Sequence, residues 1–194
     1  ISIVSEDGAA YCVIDCGNLG RAFALDANHN QTDIIDGFTI QNGEVVSDSG
    51  GGFYVNGSNI IRNCIILSCS ATFGGGIYCS ETSSANIENC VFQSNIATNG
   101  SSEGKGGAVF CASGSSVELS DCTIQNNTAN LGGAGVFIAS TTLHNCTISS
   151  NSSSSHGGGI YTAQNSSPLI SDCLILNNTC TLHGAGAYFA TNTY

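Results

Sequence analysis

The chain has 194 residues, a net charge of −11 and only 9% charged residues, with 25 glycines, one proline and eleven cysteines. Its three basic side chains, Arg21, Arg62 and Lys105, cannot neutralise a phosphate track, which excludes nucleic acid as a partner. The sequence contains no apolar run long enough for a transmembrane helix, which excludes direct membrane insertion by that route.

Ile1-Ser2-Ile3-Val4 reads as a strand, and Tyr11–Asp15 and Gly20–Leu25 read as two more. From Asp36-Gly37-Phe38-Thr39-Ile40 onward two phrases recur. The first is Asn63-Cys64-Ile65-Ile66, Asn89-Cys90-Val91-Phe92, Asp121-Cys122-Thr123-Ile124, Asn145-Cys146-Thr147-Ile148 and Asp172-Cys173-Leu174-Ile175. The second is glycine-rich and starts at Gly50, Gly74, Gly106, Gly133, Gly157 and Gly184, at intervals of 24, 32, 27, 24 and 27 residues. A unit of about 25 residues is too short to be a domain, so the units must bury one another.

Alignment of the units yields three apolar columns: Ile35, Ile61, Ile87, Leu119, Leu143 and Ile170; Phe38 with Cys64, Cys90, Cys122, Cys146 and Cys173; and Ile40, Ile66, Phe92, Ile124, Ile148 and Ile175. Side chains alternate across a strand, so apolar residues at every second position share one face, and stacked units turn them into inward ladders. The Asn or Asp before each cysteine suits a bend. Asn95, Asn127, Asn151 and Asn178 form a polar column expected to hydrogen-bond along the stack, with Cys69 in its place in one unit.

The phrases Ile-Asp-Gly-Phe-Thr-Ile, Gly-Gly-Gly-Ile-Tyr and Asn-Cys-Thr-Ile-x-x-Asn resemble those of right-handed parallel β-helix proteins of the cell surface. Gly106-Gly107-Ala108-Val109 and Phe92-Gln93-Ser94-Asn95 are similar to the GGA(I/L/V) and FxxN repeats of polymorphic outer-membrane protein passengers. The resemblance spans essentially the whole chain. It implies an all-β, single-stranded right-handed parallel β-helix, a solenoid of six to seven coils. The expectation is one domain over residues 1–194, degenerate over 1–43, regular over 44–194 and open at both ends.

In the strand after each glycine phrase, parity sends Tyr54, Tyr78, Phe110, Phe137, Tyr161 and Tyr188 outward as a continuous column. Either a flanking loop covers it, or stacking merely stiffens the sheet, or it is a contact surface for another subunit or for sugar rings. Eleven cysteines point to an oxidising setting. Cys12 with Cys16, and Cys79 with Cys111, are candidate disulfides, whereas the cysteines of the inward ladder can serve as small buried apolar groups. Of eight Asn-x-Ser/Thr sequons, Asn145 and Asn151 fall on bend and ladder positions, leaving Asn30, Asn56, Asn99, Asn126, Asn165 and Asn177 as candidate glycosylation sites. No metal or cofactor site is expected: the four histidines are scattered, there is no Cys-x-x-Cys pair, and the acidic N-terminal segment lacks a calcium-loop spacing.

Two function classes compete. One is an extracellular or cell-surface structural or adhesive module, whose partners are copies of itself joined head to tail, flanking coils of a longer chain, or glycans. The chain opens with Ile1 and has no signal peptide, which fits a processed chain or a fragment. The alternative is a carbohydrate-active enzyme, a lyase or glycosidase. That chemistry needs convergent carboxylates or bases, and only Glu88 and Glu118, in neighbouring units, stand close enough to be considered. The non-enzymatic reading is the expectation, with no catalytic residue assigned.

Overall fold

The computed structural model describes residues 1–26, 32–98 and 103–190. One regular coil runs through the strands Ile60–Arg62, Ile65–Leu67, Ser70–Ala71 and Ile77–Cys79, each pairing in parallel with its equivalent in the next coil and, except for Ser70–Ala71 at the edge of its sheet, with that in the coil before. Three of the resulting sheets contain seven strands and the third in coil order, made of two-residue strands, contains five. The chain is thus a right-handed β-helix of seven stacked rungs. Register in the first sheet advances by 32, 26, 26, 32, 24 and 27 residues from Ser2 through Ile34, Ile60, Asn86, Glu118 and Thr142 to Leu169. A second long coil therefore lies in the N-terminal part, where the repeat is hard to see in the sequence.

The expected inward ladders form the core. Ile61, Ile87, Leu119 and Leu143 have no exposed surface, and neither do Ile40, Ile66, Phe92, Ile124 and Ile148. The cysteines fill the corner between the first two sheets. Here Asn63, Asn89, Asp121, Asn145 and Asp172 adopt φ between 49° and 56°, the left-handed conformation that Asn and Asp tolerate best among residues with a Cβ. A second left-handed column, Ser68, Ser94, Asn126, Ser150 and Asn177, turns the chain from the second sheet to the third.

Inside that second corner the buried asparagines bond upward. Asn95 N–H and Asn95 Nδ2 both donate to Asn127 Oδ1, at 2.9 and 3.0 Å, and Asn127 and Asn151 repeat the arrangement with the next asparagine along. Each side chain also donates to a carbonyl of the previous coil, such as Asn95 Nδ2 to Ile66 O at 2.9 Å. The ladder consumes the amide hydrogen-bonding capacity at a site without water. Cys69 accepts the role at one end, its N–H bonding Asn95 Oδ1 at 3.0 Å.

The glycine phrase makes the last corner. At Gly133, φ is +61° and a Cβ would lie 2.6 Å from Val136 O, so the position excludes any side chain on two counts.

All eleven cysteines are free thiols, which corrects both disulfide expectations. Cys12 and Cys16 flank the strand Val13–Asp15, and four residues of extended chain separate their Cα atoms by about 13 Å, far beyond disulfide reach. Cys79 and Cys111 are register partners on adjacent parallel strands, where both Cβ vectors point the same way into the core and do not converge. A hydrogen bond between them and complete burial raise the Cys79 thiol well above its ordinary range. Burial, together with a hydrogen bond that Cys90 donates to Cys64, does the same for Cys90, and burial pushes Cys69 up to about 12. These thiols are protonated and act as packing groups.

Candidate functional site

The outward residues of the fourth sheet do form one column. Ring centroids are 5.4 Å apart from Tyr54 to Tyr78 and from Tyr78 to Phe110, 4.7 Å from Phe110 to Phe137, 4.9 Å from Phe137 to Tyr161 and 5.2 Å from Tyr161 to Tyr188. From Tyr78 to Tyr161 the interplanar angles are 8°, 8° and 11°. Rings stacked this way spend their faces on one another, so the internal members offer only edges and hydroxyls to a partner. Face-on stacking against sugar rings is therefore not available to them.

A second column, in the flanking segment, covers part of the first, a cover that the sequence allowed for without marking its residues. The residue immediately before each glycine phrase bridges in parallel to its equivalent in the next coil: Ser49, Phe73, Lys105, Gly132 and His156. His183 extends the series, its carbonyl accepting from Gly157 N–H at 3.0 Å. The side chains of Phe73, Lys105 and His156 lean over the ring one coil further on. Phe73 lies 5.3 Å from Phe110, Lys105 Nζ stands 5.6 Å over Phe137, and His156 lies 4.6 Å from Tyr188. Arg21 plays the same part 5.3 Å over Tyr54. Phe137, under Lys105, retains only 8% exposure. The column was findable in the sequence, because every member directly precedes the first glycine of its phrase.

Two grooves run along the aromatic column. One of about 330 Å³ lies at Tyr54 and Tyr78, edged by Asn56, Ser80, Glu81 and Thr82. Another, of about 520 Å³, lies at Phe137 and Tyr161 and is bounded by Lys105, His156, Ser113, Gln164 and Asn165. A Cβ on Gly132 would come within 2.7 Å of the Tyr161 ring. Burial raises the hydroxyls of Tyr78 and Tyr161, which stay protonated as donors.

Among the candidate glycosylation sites, Asn126, Asn165 and Asn177 are exposed, and the first and last occupy left-handed corners. Asn56 is half-buried with its amide engaged, donating to Asp26 Oδ1 at 3.2 Å and accepting from Ser80 Oγ at 2.8 Å and from Thr82. Asn30 and Asn99 lie outside the described residues. Glu88 and Glu118 sit on the outer face of the first sheet, one rung and two positions apart. Asn86 hydrogen-bonds Glu88. Among the described residues no three His, Cys, Asp or Glu side chains gather as a metal site.

Comparison with known proteins gives no match among curated proteins and none among solved structures. A family model described as the right handed beta helix region matches residues 16–151 and 92–193, nearly the whole chain. The chain therefore belongs to the right-handed β-helix family.

Proposed function

We propose that the chain is a structural or adhesive β-helix module of the cell exterior that works by end-on stacking with further coils, supplied by its own chain or by another copy. One observation carries this reading: among the described residues, the inward columns that are sealed in the middle rungs become exposed at both ends. Ile3 is 39% exposed, whereas Ile35 and Ile61 in the same column are 2% and 0% exposed. Phe189 is 58% exposed, whereas Val55, Cys79, Cys111 and Ile138 in its column are fully covered. At the first rung Ile3, Phe23, Leu25 and Ile35 line an apolar hollow of about 260 Å³. Apolar cross-sections and unpaired backbone groups favour the addition of another rung, and because the two ends differ, the contact is head to tail and propagates.

The surroundings agree with this reading. The outer surface is built largely of Asn, Ser and Thr, with few charges to oppose stacking, and the resemblance of individual repeats to surface passengers supports an exterior location. The free thiols do not, since they remove the argument from disulfides. The competing enzymatic reading depends on Glu88 and Glu118, which lie one rung and two positions apart with Glu88 held by Asn86, and we favour the structural one on the exposed column ends. Sedimentation velocity tests the proposal. Association should rise with concentration and be suppressed by Ile3→Lys, which puts an unpaired charge into the joint. A monomer at all concentrations counts against it.

A further inference from the structure

The groove at Phe137 and Tyr161 differs from the rest of the surface in its charge. Among the described residues Arg21 pairs with Asp48, and Arg62 pairs with Asp36 at 2.7 Å. Lys105 has no ion pair with any described residue, yet it is half-buried in a chain of net charge −11. Its ammonium rests over Phe137 at the lower edge of the groove. His156 closes the upper edge two rungs away, a span of about 10 Å. Ser155 Oγ engages His156 Nδ1 at 2.7 Å and the Tyr188 ring packs 4.6 Å from the imidazole, which holds the ring in place. Gln164 and the Tyr161 hydroxyl add donors between the two edges.

The geometry points to a binding site for a small, singly charged carboxylate whose body carries hydroxyl or amide groups. One cation matches one negative charge, and the remaining polar groups match a hydroxylated or amide-bearing body. The volume, about 520 Å³, falls in the usual range for small-molecule sites. A polyanion would meet a single cation against the field of an acidic protein. Lys105 is the one lysine of the chain, so the site occurs once along the stack. The inference is independent of end-on stacking.

Titration of the whole chain, followed by amide NMR, tests it with four probes: glucuronate, N-acetylglutamine, acetate and glucose. Saturable shifts at Gly132, Gly133 and Gln164 are expected with glucuronate, with N-acetylglutamine or with both, and which of them binds identifies the source as a sugar acid or an amino-acid derivative. Lys105→Gln should keep the parent's melting temperature and lower the affinity about tenfold or more. Absence of shifts with both acids overturns the inference, as does equal binding of acetate or glucose, or an unchanged affinity in Lys105→Gln.

Discussion

Replacing Asn127 by alanine removes the centre of the buried amide ladder. In the parent, Asn127 Oδ1 accepts from Asn95 N–H at 2.9 Å and from Asn95 Nδ2 at 3.0 Å, and Asn127 Nδ2 donates to Phe92 O at 3.1 Å, Gln125 O at 3.0 Å and Asn151 Oδ1 at 2.9 Å. Asn127 and Asn95 have no exposed surface, so no water replaces what is lost. An orphaned buried N–H costs about 1–3 kcal/mol and each lost net hydrogen bond about 1 kcal/mol. The sum is about 3–5 kcal/mol, or on the order of 10 °C in melting temperature for a chain of this size. Asn127→Asp separates the acceptor from the donor role. Its carboxylate still accepts from Asn95 N–H, but it also faces the carbonyls of Phe92 and Gln125. Burial raises the folded-state pKa of that carboxyl above its unfolded value, so the stability contributed by its protonated form is present below the unfolded value and is lost as pH rises through the folded one. The gap between Asn127→Asp and the parent should therefore be smaller at pH 4 than at pH 8. Thermal melting by circular dichroism measures both effects, and exchange of the Asn95 amide reports the site itself. An alanine variant within about 2 °C of the parent, or an aspartate gap that does not change with pH, would refute the role given to the ladder.

Cys146→Ala should fold with a modest loss, whereas Cys146→Asp should fail to accumulate or melt far lower, because it buries an unpaired charge at a site 1% exposed. Thiol labelling of the native protein should reach at most the four half-buried cysteines, Cys12, Cys16, Cys173 and Cys180, quickly, with the seven buried ones reacting only on unfolding. Gly133→Ala should destabilise by about 2 kcal/mol or more through left-handed backbone strain and a steric conflict with Val136 O. No turnover of acidic or neutral polysaccharides is expected with or without Ca²⁺; turnover abolished by Glu88→Gln or Glu118→Gln would move the reading to the enzyme.

The inward columns were legible because alternation and stacking both act on them: Ile61 or Cys90 is fixed by its strand neighbours and again by its equivalents one coil away. The aromatic column followed from the same parity. What parity cannot reach is the segment between strands. Phe73, Lys105, Gly132 and His156 differ in chemistry, so no composition signal groups them, and Lys105 and His156 looked like isolated residues. Only their constant place before the glycine phrase marks them as one column. The cysteines misled for a related reason. Their number suggested an oxidising compartment, but in a parallel stack equivalent residues point side by side, and the inward corner selects Cys for its size. The second left-handed corner, at Ser68 and Asn126, was hidden because serine and asparagine are common throughout this chain.

End-on stacking is the central claim, and negative-stain microscopy of the concentrated protein addresses it most directly. Seven rungs at ~4.8 Å each give an axial repeat of about 34 Å per copy. The account predicts rods of constant width whose lengths fall on multiples of that repeat, and which shorten to single units in Ile3→Lys. Particles of one length at every concentration, or assemblies that grow sideways through the aromatic column, would contradict it.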